Sequence, residues 1–419
     1  MSNVYQISCL QPKLKGNVVL ERSKSISNRA LIIWSLCKTR FTIHHLSKSD
    51  DTVVLEKMLS SDSEVLYGGH AGSSYRFMVA RAALGDREIT LDASEQLRRR
   101  PIGPLVKALQ ILGTDISYLK KEGFPPLLIR PSKKIGKEVH EVTLQAGISS
   151  QYTSALLMIA PCLPHGLTLH LADDPVSIPY IRMTLAMMEW FGVGHHWEGN
   201  TIKIEPGEYV AKDFTVEADW SAASYFYSAA ALSEEAEIQI HGLDEKSLQG
   251  DAIVRNIYQQ FGVETIFNEH GMTIKKKGLY ERLKEFKFDF SPCPDIALTV
   301  MVTLAGLGIK GILSGLRTLR IKETDRISAM QTELAKVKTT IETKQDGSEV
   351  ICTLFGKAKW KDKAKFNTYE DHRMAMSLAP LACIHPIVIR NPDVVSKSYP
   401  GFWRDMALIG VISEKVKKK

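Results

Sequence analysis

Six segments of this chain share one pattern: a start of small or polar residues, then an apolar run rich in Ala, Leu and Met. They are SISNRALIIWSL from Ser25, AGSSYRFMVARAAL from Ala71, SSQYTSALLMIAPCL from Ser149, DWSAASYFYSAAAL from Asp219, PDIALTVMVTLAGLG from Pro294 and DHRMAMSLAPLACI from Asp371. The runs are apolar nearly all round, which predicts buried helices rather than amphipathic surface ones. Their starts lie roughly 46, 78, 70, 75 and 77 residues apart, enough for one supersecondary unit each. Between them stand β-like alternations such as Val142-Thr143-Leu144, Leu167-Thr168-Leu169-His170-Leu171, Ile238-Gln239-Ile240 and Ile387-Val388-Ile389. The first interval is about 30 residues shorter than the others. Between Asp50-Asp51 and Gly68-Gly69 it has room for one helix and little else, so the first repeat is expected to lack part of its sheet.

At 419 residues the chain is long for a single core, which favours two or three domains. A content of 44% hydrophobic and 24% charged residues describes an ordinary globular protein. The net charge of +7 owes part to the basic tail Lys415-Val416-Lys417-Lys418-Lys419, expected to be solvated. That charge suits anionic small substrates, RNA or simple solubility alike. Six scattered cysteines without CxxC spacing argue against a zinc site or a disulfide framework and suit a reducing cytosol. With neither a long apolar run nor a signal-peptide pattern, the expectation is a cytoplasmic protein without a membrane partner. P-loop, GxGxxG, HExxH and GxSxG patterns are all missing, so neither a nucleotide fold nor a metallohydrolase is signalled.

Chemistry concentrates at the starts of the apolar runs. A helix N-terminus carries unpaired N–H groups and partial positive charge, and so attracts anions. Lys24, Ser25 and Arg29 stand at one start, Gly72, Ser73 and Arg76 at a second, Ser149, Ser150 and Gln151 at a third. Asp295 stands at another, and His372 and Arg373 at the last. Capping is the bland reading for Ser25 or Ser27. Lys24 and Arg29 oppose the helix dipole and need compensation, which a bound phosphate or carboxylate would supply. Gly72 would let an anion approach the backbone. In Arg98-Arg99-Arg100 the expectation is a solvated run with one arginine turned inward. Pro101 would open the next helix, at Leu105-Val106-Lys107, with Arg100 at its entrance. Ser177 and Tyr180 stand at a further helix start, where capping alone would explain Ser177. Glu323, between Lys322 and Arg326, is either an ordinary i,i+3 partner of Arg326 or a carboxylate that exchanges a proton with substrate. Asp295 is either an N-cap or a lone carboxylate able to orient or deprotonate a hydroxyl.

Taken in order, SKSISNRAL, AGSSYRF, RRRPIG, SSQYTSALL, VSIPYI, KETDR, DHRMAM and SKSYPGF resemble the 3-phosphoshikimate 1-carboxyvinyltransferase (EPSP synthase) family of enolpyruvyl transferases, from about residue 20 to 405. The resemblance implies an α/β fold: a two-domain inside-out α/β barrel with three βαβαββ-like repeats per domain, the first repeat shortened. Residues 23–217 would form one domain, inserted into a discontinuous one of residues 1–22 and 218–419, and the two would close on substrate. The implied reaction moves the enolpyruvyl group of phosphoenolpyruvate to the 5-hydroxyl of shikimate 3-phosphate by addition and elimination. No metal or organic cofactor is implied, nor any nucleic acid, and a monomer is expected. By the same resemblance Ser25, Arg29, Ser149, Ser150, Gln151, Ser177, Tyr180, Asp295 and Lys322 hold shikimate 3-phosphate. Lys24, Arg100, Gln151, Arg326, Arg373 and Lys397 hold phosphoenolpyruvate, with Gly72 and Arg76 adjoining. Asp295 would deprotonate the hydroxyl, and Glu323, aided by Lys24, would shuttle a proton at the methylene carbon.

Three departures from the family pattern stand out. Glu21-Arg22 replace a common Pro-Gly, His70 and Ser73-Ser74 alter the loop near the phosphoenolpyruvate phosphate, and Thr318 stands where Asn is usual. Two rival readings differ from this one in sequence. UDP-N-acetylglucosamine enolpyruvyl transferase would carry a cysteine in a mobile loop and an Arg-Pro-Val-Asp-Leu-His segment, whereas this chain reads Arg100-Pro101-Ile102-Gly103-Pro104. A non-catalytic, RNA-binding relative would want its cations in an aromatic-interleaved surface stripe rather than at buried helix starts.

Overall fold

A computed structural model describes residues 3–416 apart from 146, 148, 173–176, 278–282 and 348; residues 417–419 of the basic tail and Val176 of the VSIPYI motif lie outside the described residues. The chain divides into two compact units, Arg22–Val216 and Met1–Glu21 with Glu217–Lys419. Each has its own hydrophobic core.

All six apolar runs form helices, spanning Lys24–Leu36, Gly72–Ala82, Ser150–Ile159, Trp220–Leu232, Ala297–Leu307 and His372–Leu378. In Trp220–Leu232 every residue is buried, as an all-round apolar sequence demands. The Ala297–Leu307 helix stops at Gly308, whose φ of +73° is the left-handed conformation that closes a helix; its N–H donates to the Leu304 carbonyl.

The sheets carry one recurring design. Among the described residues five are four-stranded, and in each a parallel pair is extended by two antiparallel strands. In the Arg22–Val216 unit, Val65–Tyr67 runs parallel to Ile89–Asp92, and Leu127–Arg130 and Asp115–Tyr118 follow. Glu141–Leu144, Leu167–Leu171, Thr201–Ile204 and His196–Glu198 repeat that order. The other unit has three such sheets. One joins Glu285–Asp289, Lys310–Ser314, Glu349–Phe355 and Thr340–Asp346. A second joins Lys365–Phe366, Ile387–Arg390, Val4–Cys9 and Val411–Lys415. The third begins with Lys13–Val19 parallel to Glu235–His241, more than two hundred residues on, followed by Gly271–Lys276 and Glu264–Asn268.

Parallel strands cannot be joined by a tight turn and need a crossover, usually a helix. In four of the five sheets an apolar helix is that crossover, and Trp220–Leu232 leads into the second strand of the fifth. The polar helix starts therefore all follow the same kind of strand end. The remaining sheet is reduced to Ile43–His44 parallel to Phe214–Thr215, and the Asp50–Ser60 helix fills the short interval.

Two local expectations are corrected. The N-cap of the first helix is Ser23, whose Oγ accepts from the Ile26 N–H, not Ser25 or Ser27; Ser27 Oγ instead accepts from the Ser47 N–H. The helix after the arginine run spans Gly103–Ile111 with Pro104, not Pro101, in its first turn. Pro101 keeps its carbonyl free of the helix, and two side chains of the site use it.

Candidate active site

In the unit formed by residues 1–21 and 217–419, charge gathers around Arg326. The Arg326–Ala335 helix is capped by Asp325, which accepts from the Ile327 and Ser328 N–H groups and leaves Arg326 as the first helical residue. Arg326 is 1% exposed, and its guanidinium bridges three carboxylates. Nε and Nη2 donate to Asp371 at 2.8 and 3.3 Å, Nη1 to Asp295 at 3.3 Å, and Nη2 to Glu323 at 2.7 Å. Asp295 also receives Arg373 Nη2 at 2.9 Å and lies 3.5 Å from Lys322 Nζ. Burial alone would raise the Asp295 pKa, but Arg373, Lys322 and Arg326 hold it well below the usual carboxylate range. Asp295 is thus not an N-cap: it lies in the short turn Pro294–Ile296 before its helix, with its carboxylate turned into the cations. The i,i+3 pairing of Glu323 with Arg326 is present.

A fourth carboxylate, Asp251, is linked to this group through Ser221 and Arg373. Asp251 is 2% exposed and accepts from Ser221 Oγ, and Ser221 in turn receives Arg373 Nη2 at 3.4 Å. Burial, and next the negative charge of Asp295, push the Asp251 pKa up to about 7. Lys397 closes a short helical turn, Pro392–Lys397, and donates to the Glu370 carbonyl at 2.8 Å. Thr318 is buried, and its hydroxyl has no hydrogen-bond partner among the described residues.

In the Arg22–Val216 unit the candidate residues are mainly cations and hydroxyls. Lys24 Nζ lies 3.0 Å from Asp51 Oδ2, so the compensation that Lys24 needs comes in part from a neighbouring carboxylate. Arg29 is 3% exposed, and its hydrogen-bond partners among the described residues are neutral oxygens: Thr184 Oγ1, Ser154 Oγ, and the Ser25 and Tyr180 carbonyls. Burial lowers its pKa to about 10. A guanidinium buried among neutral acceptors is a local excess of positive charge.

Gly72 opens the Gly72–Ala82 helix, and a Cβ there would lie 2.5 Å from Arg100 Nη1 and 2.8 Å from Arg76 Nη1. The absence of a side chain lets two guanidiniums rest on one turn of backbone. Arg76 donates to the Gly72 and Pro101 carbonyls and to Gln151 Oε1, and Gln151 Nε2 donates to Ser73 Oγ at 2.7 Å. The Tyr152 hydroxyl takes the same Pro101 carbonyl. Of the arginine run, Arg98 pairs with Asp92 through two bonds and Arg99 faces Glu95 in solvent, so Arg100 is the one turned inward.

Ser149 caps its helix through the Gln151 N–H, with Ser150 buried beside it. Ser177 is buried at the N-cap of Ile178–Trp190, in a left-handed conformation (φ 56°, ψ 44°), and its hydroxyl makes no capping bond. Capping therefore does not account for it. Tyr180 contributes its carbonyl to Arg29, while His70 stays at the exposed turn, hydrogen-bonded to Ser94 and Gln96.

Sequence reasoning assigned no role to Asp51, Asp251, Ser221, Asp371, Ser154 and Thr184. Asp371 and Asp51 each sit beside a serine, threonine or histidine at a helix start, a signal that capping could absorb. Among the described residues there is no cluster of His, Cys, Asp and Glu able to hold a metal, and no helix long and apolar enough to cross a membrane.

Comparison with known proteins identifies the family. The family model described as EPSP synthase (3-phosphoshikimate 1-carboxyvinyltransferase) matches residues 53–406. A protein of Bacteroides fragilis named 3-phosphoshikimate 1-carboxyvinyltransferase is 43% identical over 95% of this chain and 96% of its own length. One of the same name from Shewanella sediminis is 34% identical over 95% and 97%. The solved EPSP synthase of Acinetobacter baumannii superposes with a TM-score of 0.79 at 20% identity, covering 99% of this chain and all of that one, which establishes the mixed α/β fold. With the match of the family model and full-length relatives at this identity, the chain belongs to the EPSP synthase family.

Proposed function

We propose that this chain transfers the enolpyruvyl group of phosphoenolpyruvate to the 5-hydroxyl of shikimate 3-phosphate, giving 5-enolpyruvylshikimate 3-phosphate and phosphate. The observation that carries the reading at the level of residues is Asp295, a half-buried carboxylate held ionised by Arg373, Lys322 and Arg326 beside Glu323. Substrate anions drawing on the same cations would lift the Asp295 pKa back towards the normal range as reaction begins, making it a competent base.

In the addition step the hydroxyl proton passes to Asp295, a carbon–oxygen bond forms to the enolpyruvyl carbon, and Glu323, with Lys24, supplies a proton to the methylene. In the elimination a methyl proton returns to the protein, the carbon–oxygen bond to phosphate breaks, and phosphate leaves. Arg29, Ser25, Ser149, Ser150, Gln151, Ser177, Tyr180 and Lys322 are assigned to shikimate 3-phosphate. Lys24, Arg100, Arg326, Arg373 and Lys397 are assigned to phosphoenolpyruvate, again with Gln151, and with Gly72 and Arg76 adjoining. Preorganised cations of this kind act on the charge that develops in the transition state.

The shared strand order of the five four-stranded sheets, with a sixth of two strands, supports an inside-out barrel of three repeats per domain whose first repeat is shortened. The two compact units are read as those domains, in a cytoplasmic monomer acting on small molecules. Asp295→Ala and Glu323→Gln are expected to bind both substrates in calorimetry while turnover falls by about 10²–10⁴. A variant turning over at the wild-type rate contradicts its assigned role.

A further inference from the structure

The buried carboxylate of Glu333 is used by no step above. It is fully buried on the helix that begins with Arg326, two turns further along. Its Oε1 accepts from the Tyr369 hydroxyl at 2.7 Å; its Oε2 accepts from the Asn367 N–H at 2.9 Å and from Lys336 Nζ. Lys336 also donates to the Lys365 carbonyl. The stretch it grips is strained: Tyr369 and Glu370 are consecutive non-glycine residues with φ of 53° and 55°. Such a turn persists only where its surroundings fix it.

Its consequences reach the site by two routes. The Glu370 carbonyl is the acceptor for Lys397 Nζ. The next residue, Asp371, clamps Arg326 and caps the helix that carries Arg373, accepting from its N–H at 2.8 Å. One helix therefore holds residues 367–371 at two points, Glu333 at one end and Arg326 at the other. Burial, then the Glu333 carboxylate, raise the Tyr369 pKa to about 12, so its hydroxyl keeps the donated proton at neutral pH.

We propose that Glu333, acting through Tyr369, is a positioning residue that sets the left-handed Tyr369-Glu370 turn and thereby aims Lys397, Arg326 and Arg373 at phosphoenolpyruvate. The kinetic side of this rests on the function proposed above. The structural side does not.

The test uses Tyr369→Phe, which removes one hydroxyl from a ring that is 37% exposed, and Glu333→Gln alongside it. Steady-state kinetics with both substrates are combined with hydrogen exchange over residues 367–373. Tyr369→Phe is expected to raise KM for phosphoenolpyruvate about five- to tenfold, the effect of one lost hydrogen bond. KM for shikimate 3-phosphate should be unchanged, the melting temperature should fall by about 2–10 °C because the buried Glu333 carboxylate loses a donor, and the Asp371 and Arg373 amides should exchange faster. Glu333→Gln should follow with a larger effect. Wild-type exchange in Tyr369→Phe overturns the proposal, as does an equal rise in both KM values. A wild-type enzyme inert towards these substrates would refute the function and leave exchange to decide the positioning.

Discussion

Arg326→Met would remove the one guanidinium that binds Asp295, Glu323 and Asp371 together. Its side chain is 2% exposed and that of Asp371 is fully buried, so solvent does little to screen the pair. Leaving buried carboxylates without their cation costs about 3–5 kcal/mol. At about 2–4 °C per kcal/mol for a unit of this size, the melting temperature should fall by about 6–20 °C. Methionine fills similar volume, so a cavity contributes little to the loss. The assay is calorimetric melting of wild type, Arg326→Met, Asp371→Leu and the double variant. The double variant should recover part of the loss, because it removes both charges rather than stranding one. A single variant melting within about 1 °C of wild type would show that the cluster is not what holds these helix starts together.

Three further outcomes follow from the geometry. Asp251 has a folded-state pKa raised from 3.8 to about 7, so its contribution to stability is full below pH 3.8 and lost as pH rises through 7; Asp295, depressed, stays ionised across that window. Asp251→Asn should therefore flatten the fall in melting temperature between pH 4 and 7.5, and an unaltered pH profile would contradict the assignment. Gly72→Ala puts a methyl against two guanidiniums, one of them the buried and triply hydrogen-bonded Arg76, so stability should fall by about 1–3 kcal/mol and KM for phosphoenolpyruvate should rise about tenfold; unchanged kinetics would mean that Arg76 and Arg100 do not act where they rest. Ser177→Gly relieves a left-handed residue and should stabilise the fold by about 1 kcal/mol while weakening shikimate 3-phosphate binding, measured by melting and calorimetry; a loss of stability would show that the serine hydroxyl matters to the fold itself.

The helices were legible because an apolar run such as Ala297–Leu307 has one reading: buried and helical. Helix boundaries were less so. Ser23, Ser25 and Ser27 are chemically equal candidates for one cap, and only the backbone decides that Ser23 lies half outside the helix with its oxygen towards the Ile26 N–H. Pro101 and Pro104 posed the same ambiguity. Cations and hydroxyls at helix starts could be read because they break the apolar pattern. Glu323 could be read as the i,i+3 partner of Arg326, but other carboxylate partners could not: Arg326 finds Asp371 45 residues away, and Lys24 finds Asp51 on the next helix, pairings that depend on tertiary structure. Asp251 and Glu333 were hidden for the same reason, since an acidic residue in a mixed sequence reads as solvated until its burial is known. The parallel pairing of Lys13–Val19 with Glu235–His241 is likewise a long-range event that local alternation does not announce.

The most direct test of the central claim is phosphate release from the purified protein given phosphoenolpyruvate with shikimate 3-phosphate, and separately with UDP-N-acetylglucosamine. The site assigned here predicts release that depends on shikimate 3-phosphate alone. Release only with the nucleotide sugar, or with neither acceptor from folded protein, would contradict it.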